Sequence, residues 1–136
     1  MNRPCPCGSG QAYADCCGRH LETREPAPTA LALMRSRYTA YTLGREDYLL
    51  RTWHPSTRPA TLGLEQTPGL EHTAALKWLG LKILGTEAGG AEDGTGVVEF
   101  VARSKIHGRA QRLHERSRFV KEDGRWLYVD GEIVGD

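Results

Sequence analysis

The hydrophobic pattern changes period along this chain. Ala30, Leu33, Met34, Tyr38 and Tyr41 follow the i, i+3, i+4, i+8, i+11 spacing of one apolar helix face. Pro28 suits the first turn of that helix and Gly44 its stop. A second, shorter helix is predicted from about Arg45 to Trp53, with Glu46 and Asp47 at the positive end of its dipole, and Pro55 ends it. Residues 55–70 carry Pro55, Pro59, Gly63, Pro68 and Gly69 and read as irregular structure with one short helical turn. Beyond them the period becomes two. Trp78–Leu84 is a dense apolar run, Val97–Arg103 is rich in β-formers, Leu113–Lys121 alternates, and Arg125–Asp130 closes the set. Asp123-Gly124 signals a tight hairpin, and Glu87–Gly96, with four glycines, a longer one. Helices followed by an antiparallel sheet make an α+β fold.

Cysteine placement divides the chain again. Cys5, Cys7, Cys16 and Cys17 all fall in the first seventeen residues, and no cysteine follows. This predicts a cysteine knuckle over 1–20, a polar linker with two prolines over 21–29, and the α+β domain over 30–136. Four thiolates suit tetrahedral Zn²⁺. Gly8 and Gly10 permit a tight turn around a metal, and Ser9 can cap a short helix carrying Cys16 and Cys17 in its last turn. A four-thiolate zinc site keeps two negative charges, which Arg3, Arg19 and His20 are close enough to offset. His20, three residues past Cys17, could replace Cys17 as fourth ligand. Paired disulfides, a redox thiol pair and inert buried cysteines compete with zinc. The expected reducing compartment, the lack of Cys-x-x-Cys spacing and the tight clustering weigh against each in turn. With four protein ligands a zinc site is closed and stabilises structure.

Composition narrows the class. The chain has 136 residues, 39% hydrophobic and 26% charged, as in a folded soluble domain. A net charge of +1 gives the molecule as a whole no strong pull on nucleic acid or anionic membrane. No stretch approaches the roughly 20 apolar residues of a membrane span. The N-terminus lacks the apolar core of a signal peptide, so the expected location is cytoplasmic and the cysteines reduced.

Cys5-Pro6-Cys7-Gly8-Ser9-Gly10-Gln11-Ala12-Tyr13, ending in Cys16-Cys17-Gly18, closely resembles the SEC-C motif. That motif is known from the tail of the SecA translocation ATPase, where it binds zinc and docks on the SecB chaperone or the ribosome. Its final ligand is often His, and here Cys17 holds that position. Leu33-Met34-Arg35-Ser36-Arg37-Tyr38-Thr39-Ala40-Tyr41, Asp47-Tyr48-Leu49 and Thr52-Trp53-His54-Pro55 resemble the YchJ family of bacterial proteins. So do Phe100–Arg103, Glu115–Phe119 and Gly124–Gly131. The resemblance implies a SEC-C knuckle joined to a domain like nuclear transport factor and ketosteroid isomerase, a cone of helices wrapped by a curved antiparallel sheet. Some members carry a second, C-terminal SEC-C motif, which this chain, ending at Asp136, lacks. No activity comes with the resemblance, since this cone hosts enzymes and non-enzymes alike.

Two features of the domain bear on chemistry. Alternation puts Leu113, Glu115, Ser117 and Phe119 on one face of their strand and His114, Arg116, Arg118 and Val120 on the other. Glu115 among apolar neighbours could act as a general acid or base; the favoured alternative is an ion pair with Arg35 or Arg37. His54, expected at the cone mouth, is a second acid–base candidate, or a helix-dipole partner. Residues 103–121 carry Arg103, Lys105, Arg109, Arg112, Arg116, Arg118 and Lys121 against Glu115, a local +6. Cross-strand pairing with flanking acids is expected to absorb these charges, and an RNA footprint is the weaker reading, with only Phe119 available for stacking. The leading expectation is a non-enzymatic zinc-binding adaptor recognising a protein or ribosomal partner. The alternative is a small-molecule-binding or isomerase/hydrolase-like cone with the knuckle as appendage. The sequence sets no oligomeric state.

Overall fold

Helix α2 (Ala30–Leu43) is the element on which the others converge in the computed structural model, which describes residues 4–23, 25–60, 76–106 and 108–134. Thr29 caps it by accepting from the Ala32 amide at 3.1 Å, so Pro28 precedes the helix and is not in its first turn as expected. Gly44 ends it at φ 70°, the left-handed stop that glycine adopts at least cost. Before α2 come a 3₁₀ turn (Tyr13–Asp15) and the short α1 (Gly18–Leu21). After it, α3 (Glu46–Arg51) is shorter than predicted, beginning and ending inside the expected Arg45–Trp53.

Four strands follow in antiparallel order β1-β2-β3-β4: β1 (Leu76–Ala88), β2 (Thr95–Ile106), β3 (Arg109–Glu122) and β4 (Arg125–Ile133). All four expected strands are present; β1, β2 and β3 run past both predicted ends, and β4 starts at Arg125 as predicted and runs past its end. Their alternation continues into residues whose outward side chains are polar and carry no periodic signal. Asp123 and Gly124 make the β3–β4 turn, both at positive φ, as the Asp-Gly pair predicts. Gly63, Pro68 and Gly69 of the expected irregular stretch lie outside the described residues. Among the described residues no helix is long and apolar enough to cross a membrane.

The core lies between α2 and the inner face of the sheet, with Leu33, Leu49, Val98 and Phe119 fully buried. Burial on α2 is not confined to the predicted apolar stripe: Ser36, Arg37, Thr39 and Ala40 are buried as well. The helix has the sheet on one side and the cysteine segment and α3 on the others, so its polar residues are enclosed too. Residues 52–54 lie beside β4, with the Tyr128 amide donating to Thr52 O at 2.8 Å and the His54 amide to Tyr128 O at 2.7 Å.

The start of α2 is pinned by the β1–β2 turn, where the Ala30 amide donates to Gly89 O at 2.9 Å. Gly96 packs back to back with Gly89 there; a Cβ at Gly96 would stand 2.5 Å from the Gly89 Cα and 3.1 Å from the Ala30 Cβ. Gly96→Ala is therefore expected to lower stability by about 1–3 kcal/mol, as overpacking against backbone does. Gly94→Ala, with open space around it, is expected to change stability by less than about 1 kcal/mol. Urea denaturation of both variants measures the contrast.

Candidate functional site

The cysteine segment folds as a small loop closed by the Cys5 amide donating to Gln11 O at 2.9 Å and a Pro4–Ala12 bridge. Gly8 and Gly10 turn it at φ 80° and 90°, the use that their spacing predicts. Ser9 does not cap a helix as expected. It accepts from the Gln11 amide at 3.2 Å and meets the Cys16 sulfur at 3.2 Å. Cys16 and Cys17 sit in the step between the 3₁₀ turn and α1, with Cys17 as the N-terminal flank of α1. Gly18 is needed there because a Cβ would lie 2.7 Å from Tyr13 O.

The four sulfurs of Cys5, Cys7, Cys16 and Cys17 lie within 4.8 Å of one another, with Cys7–Cys16 at 3.6 Å and Cys16–Cys17 at 3.9 Å. Four sulfurs about 2.3 Å from one zinc ion would stand about 3.8 Å apart. The donor set therefore fits a tetrahedral, thiolate-preferring ion. Cys5, Cys7 and Cys17 are buried and Cys16 is half-buried. In the cluster itself, the hydrogen bond from Cys17 holds the Cys7 thiol down at about 4. Cys17 is pushed up by donating that bond and by burial, and Cys16 is pushed up chiefly by burial. A thiolate-preferring ion would have to displace the protons that Cys16 and Cys17 hold more tightly than a free thiol does.

The surroundings differ from the expected cation cover. Arg19 pairs with Glu25, and the His20 Nδ1 lies 2.6 Å from Glu25 O, placing His20 outside the sulfur cluster. Arg3 lies outside the described residues. The cation that reaches the cluster is Arg35 of α2, whose Nη1 donates to Cys7 O at 3.0 Å and lies 3.7 Å from its sulfur. Thr39, one turn along the helix, places its hydroxyl 3.7 Å from the Cys5 sulfur. Sequence reading missed both, because an Arg and a Thr on a helix resemble a solvated face.

On the opposite side of α2 the cone encloses a cavity of about 290 Å³. Tyr38, Tyr41, Trp78, Phe100 and Tyr128 form much of its wall, and its polar residues besides the three tyrosines are Arg37, Glu115 and Ser117. Leu113, Glu115, Ser117 and Phe119 do share the inner face of β3, with Ser117 and Phe119 buried. Glu115 is not paired with an α2 arginine. Its Oε2 accepts from Ser117 Oγ at 2.8 Å and lies over Gly131, where a Cβ would strike it at 1.7 Å. Arg37 instead donates through Nη1 to Leu49 O at 2.8 Å and Thr52 Oγ1 at 2.7 Å, its guanidinium between the rings of Trp53 and Tyr128. Burial draws the Arg37 pKa down and raises those of Tyr38 and Tyr128 to about 12. His54 stands away from the cavity wall, with its Nε2 2.8 Å from Glu122 Oε2 and its Nδ1 2.8 Å from Ser56 Oγ.

The basic strand divides into two parts. Arg116 pairs with Glu87 at 3.0 Å and Glu99 at 3.4 Å, and Arg118 holds Asp130 through two hydrogen bonds of 2.7 and 2.5 Å. Arg118 accordingly keeps the Asp130 carboxyl below its usual range. These are the expected cross-strand pairs. At the other end Arg103, Lys105, Arg109 and Arg112 are exposed around the β2–β3 turn, with Arg103 directly opposite Arg112.

Comparison with known proteins matches the same two parts. Residues 1–19 match the SEC-C motif, and residues 29–131 match the family profile described as "YchJ, middle NTF2-like domain". A UPF0225 protein of Chromobacterium violaceum is 59% identical over 96% of this chain and 93% of its own length. One from Streptomyces coelicolor is 51% identical over 96% of each. The solution structure of a SEC-C motif containing protein from Rhodopseudomonas palustris superposes with a TM-score of 0.77 at 37% identity, covering 98% of this chain and 100% of that one. The crystal structure of another, from Psychrobacter arcticus, gives 0.75 at 25% identity over 98% and 84%. A cysteine cluster seated on a helix-and-sheet cone, matched from end to end in sequence and in fold, places this chain in the YchJ (UPF0225) family.

Proposed function

We propose that Cys5, Cys7, Cys16 and Cys17 hold one structural zinc ion, and that the protein is a non-enzymatic, cytoplasmic adaptor whose knuckle engages a protein or ribosomal partner. The convergence of four sulfurs to within 4.8 Å carries this reading. Such a ligand set leaves no open position for a substrate, so the ion would serve shape rather than turnover. It would fasten residues 4–17 to α2 through Arg35 and Thr39. Gln11, Asp15, Arg19 and Leu31 line a groove of about 250 Å³ between the knuckle and the start of α2, a surface that exists only while the knuckle is folded. The exposed cationic end of the β2–β3 hairpin supports a partner bearing RNA, since arginine and lysine clusters neutralise phosphates. His20 is assigned to holding the linker through Glu25 O, not to the metal.

Elemental analysis of the purified protein is expected to return one zinc per chain, and Cys16→Ser/Cys17→Ser to return none. Affinity capture and ribosome pelleting with the wild type and that double variant test the adaptor role. Unchanged zinc content would defeat the metal assignment, and unchanged partners after zinc loss would defeat the adaptor assignment.

Metal binding is expected to weaken as pH falls from 8 to 6. Cys16 and Cys17, with thiol pKa values raised in the metal-free cluster, must release protons on binding, and acid opposes that release. A chromophoric zinc chelator titrated at several pH values measures it.

Arg35→Ala removes the donor to Cys7 without touching a sulfur. Amides of residues 4–17 are expected to exchange with deuterium faster in this variant, those of β2 and β3 at unchanged rates, as mass spectrometry would record.

A further inference from the structure

We propose that the cone cavity binds a small, neutral, planar molecule carrying both a hydrogen-bond acceptor and a donor, as the cyclic amides of pyridones, quinolinones and nucleobases do. The inference is independent of the zinc assignment.

Size and wall chemistry come first. An apolar cavity of about 150 Å³ holds benzene, so about 290 Å³ leaves room for a bicyclic ring. Tyr38 and Tyr41 stand 5.6 and 6.2 Å from the Trp78 ring, and Phe100 and Tyr128 belong to the same wall. Aromatic faces of this kind favour a flat guest that can stack or meet their edges.

The polar groups then select its edge. Arg37 is 4% exposed, yet among the described residues no carboxylate lies within 4.0 Å of it. Among the described residues, its hydrogen bonds all run through Nη1. Arg37 belongs to the cavity wall, so its remaining nitrogens can meet an acceptor held inside. Glu115, on the same cavity wall, has Oε2 engaged by Ser117 and Oε1 without a donor among the described residues. The cavity therefore offers one cationic donor and one anionic acceptor, in a wall whose three tyrosines carry neutral hydroxyls.

Charge balance decides among guests. An anion would gain Arg37 but face Glu115, and a cation would meet the reverse. A zwitterion answers both charges, but must give up the hydration of its own two ions against a mostly aromatic wall. A neutral lactam presents its carbonyl to Arg37 and its N–H to Glu115 at far lower desolvation cost, with its ring on the tyrosines and Trp78.

The test titrates quinolin-2(1H)-one into the full chain, read by calorimetry and by tryptophan fluorescence, since Trp78 lies in the wall. Saturable one-to-one binding is expected. N-methylquinolin-2-one lacks the N–H and should bind at least about tenfold more weakly, as should quinolin-2(1H)-one to Glu115→Leu, because each leaves a buried polar group unpaired. Ala102 is buried in the cavity wall, so Ala102→Leu should fill the space and abolish binding. Circular dichroism and thermal melting of each variant confirm that it is folded. The proposal is overturned by absence of saturable binding to the wild type, by indifference to N-methylation, or by retained binding in folded Ala102→Leu. Tighter binding of L-phenylalanine or benzoate than of the quinolinone would also overturn it, in favour of a charged guest.

Discussion

Burial of polar side chains on α2 is the constraint that organises this molecule. Leu33 and Tyr38 face apolar neighbours, but the buried Ser36, Arg37 and Thr39 and the half-buried Arg35 come from the same helix and each needs a partner. Ser36 donates to Leu33 O at 2.8 Å and so leaves its oxygen to the Tyr48 hydroxyl at 2.7 Å. Arg37 takes the end of α3 through Leu49 O and Thr52, while Arg35 and Thr39 take the cysteine loop. An unpaired buried group costs more than a hydrogen bond returns. The requirement to satisfy these four side chains therefore fixes where α3 and the knuckle must lie.

The same helix separates two kinds of interior. On one side are sulfurs whose charge is met by one guanidinium, and on the other an aromatic chamber with a guanidinium and a carboxylate. Arg35 and Arg37 are two residues apart and so point to different sides, which lets adjacent residues serve unrelated chemistry. Movement of α2 along its axis would disturb both, so a stable knuckle and a well-formed cavity make the same demand on the helix.

Much of this was legible in the sequence, and the exceptions share a cause. The α2 period, the Gly44 stop, the Asp123-Gly124 turn and the inward face of β3 follow from local rules, and the structure bears them out. Cysteine clustering located the sulfurs, and family resemblance supplied the cone. What escaped was long-range pairing of polar groups. Arg35 with Cys7, thirty residues apart in round terms, leaves no periodic trace. Glu115 was expected to pair with an α2 arginine because opposite charges on facing elements attract, yet Glu115 is taken by Ser117 and Arg37 by the Leu49 carbonyl and the Thr52 hydroxyl. One trace did exist for Arg37. It stands four residues from both Leu33 and Tyr41, in line with the apolar stripe, and that position marks a buried arginine.

All four sulfurs come from Cys5 to Cys17, whereas Arg35 and Thr39, which meet them, come from α2, and the loop lies near β1, where a Gly8 Cβ would stand 3.6 Å from Leu81 O. The ligand loop is thus short-range while its seat is long-range, and synthesis runs from the N-terminus. The sulfur cluster can gather an ion as soon as it leaves the ribosome, at small loop-closure cost. It then waits for a helix that emerges next and a sheet that emerges last. On the zinc reading proposed above, birth order would let the four ligands close on their ion before α2 is there to seat them.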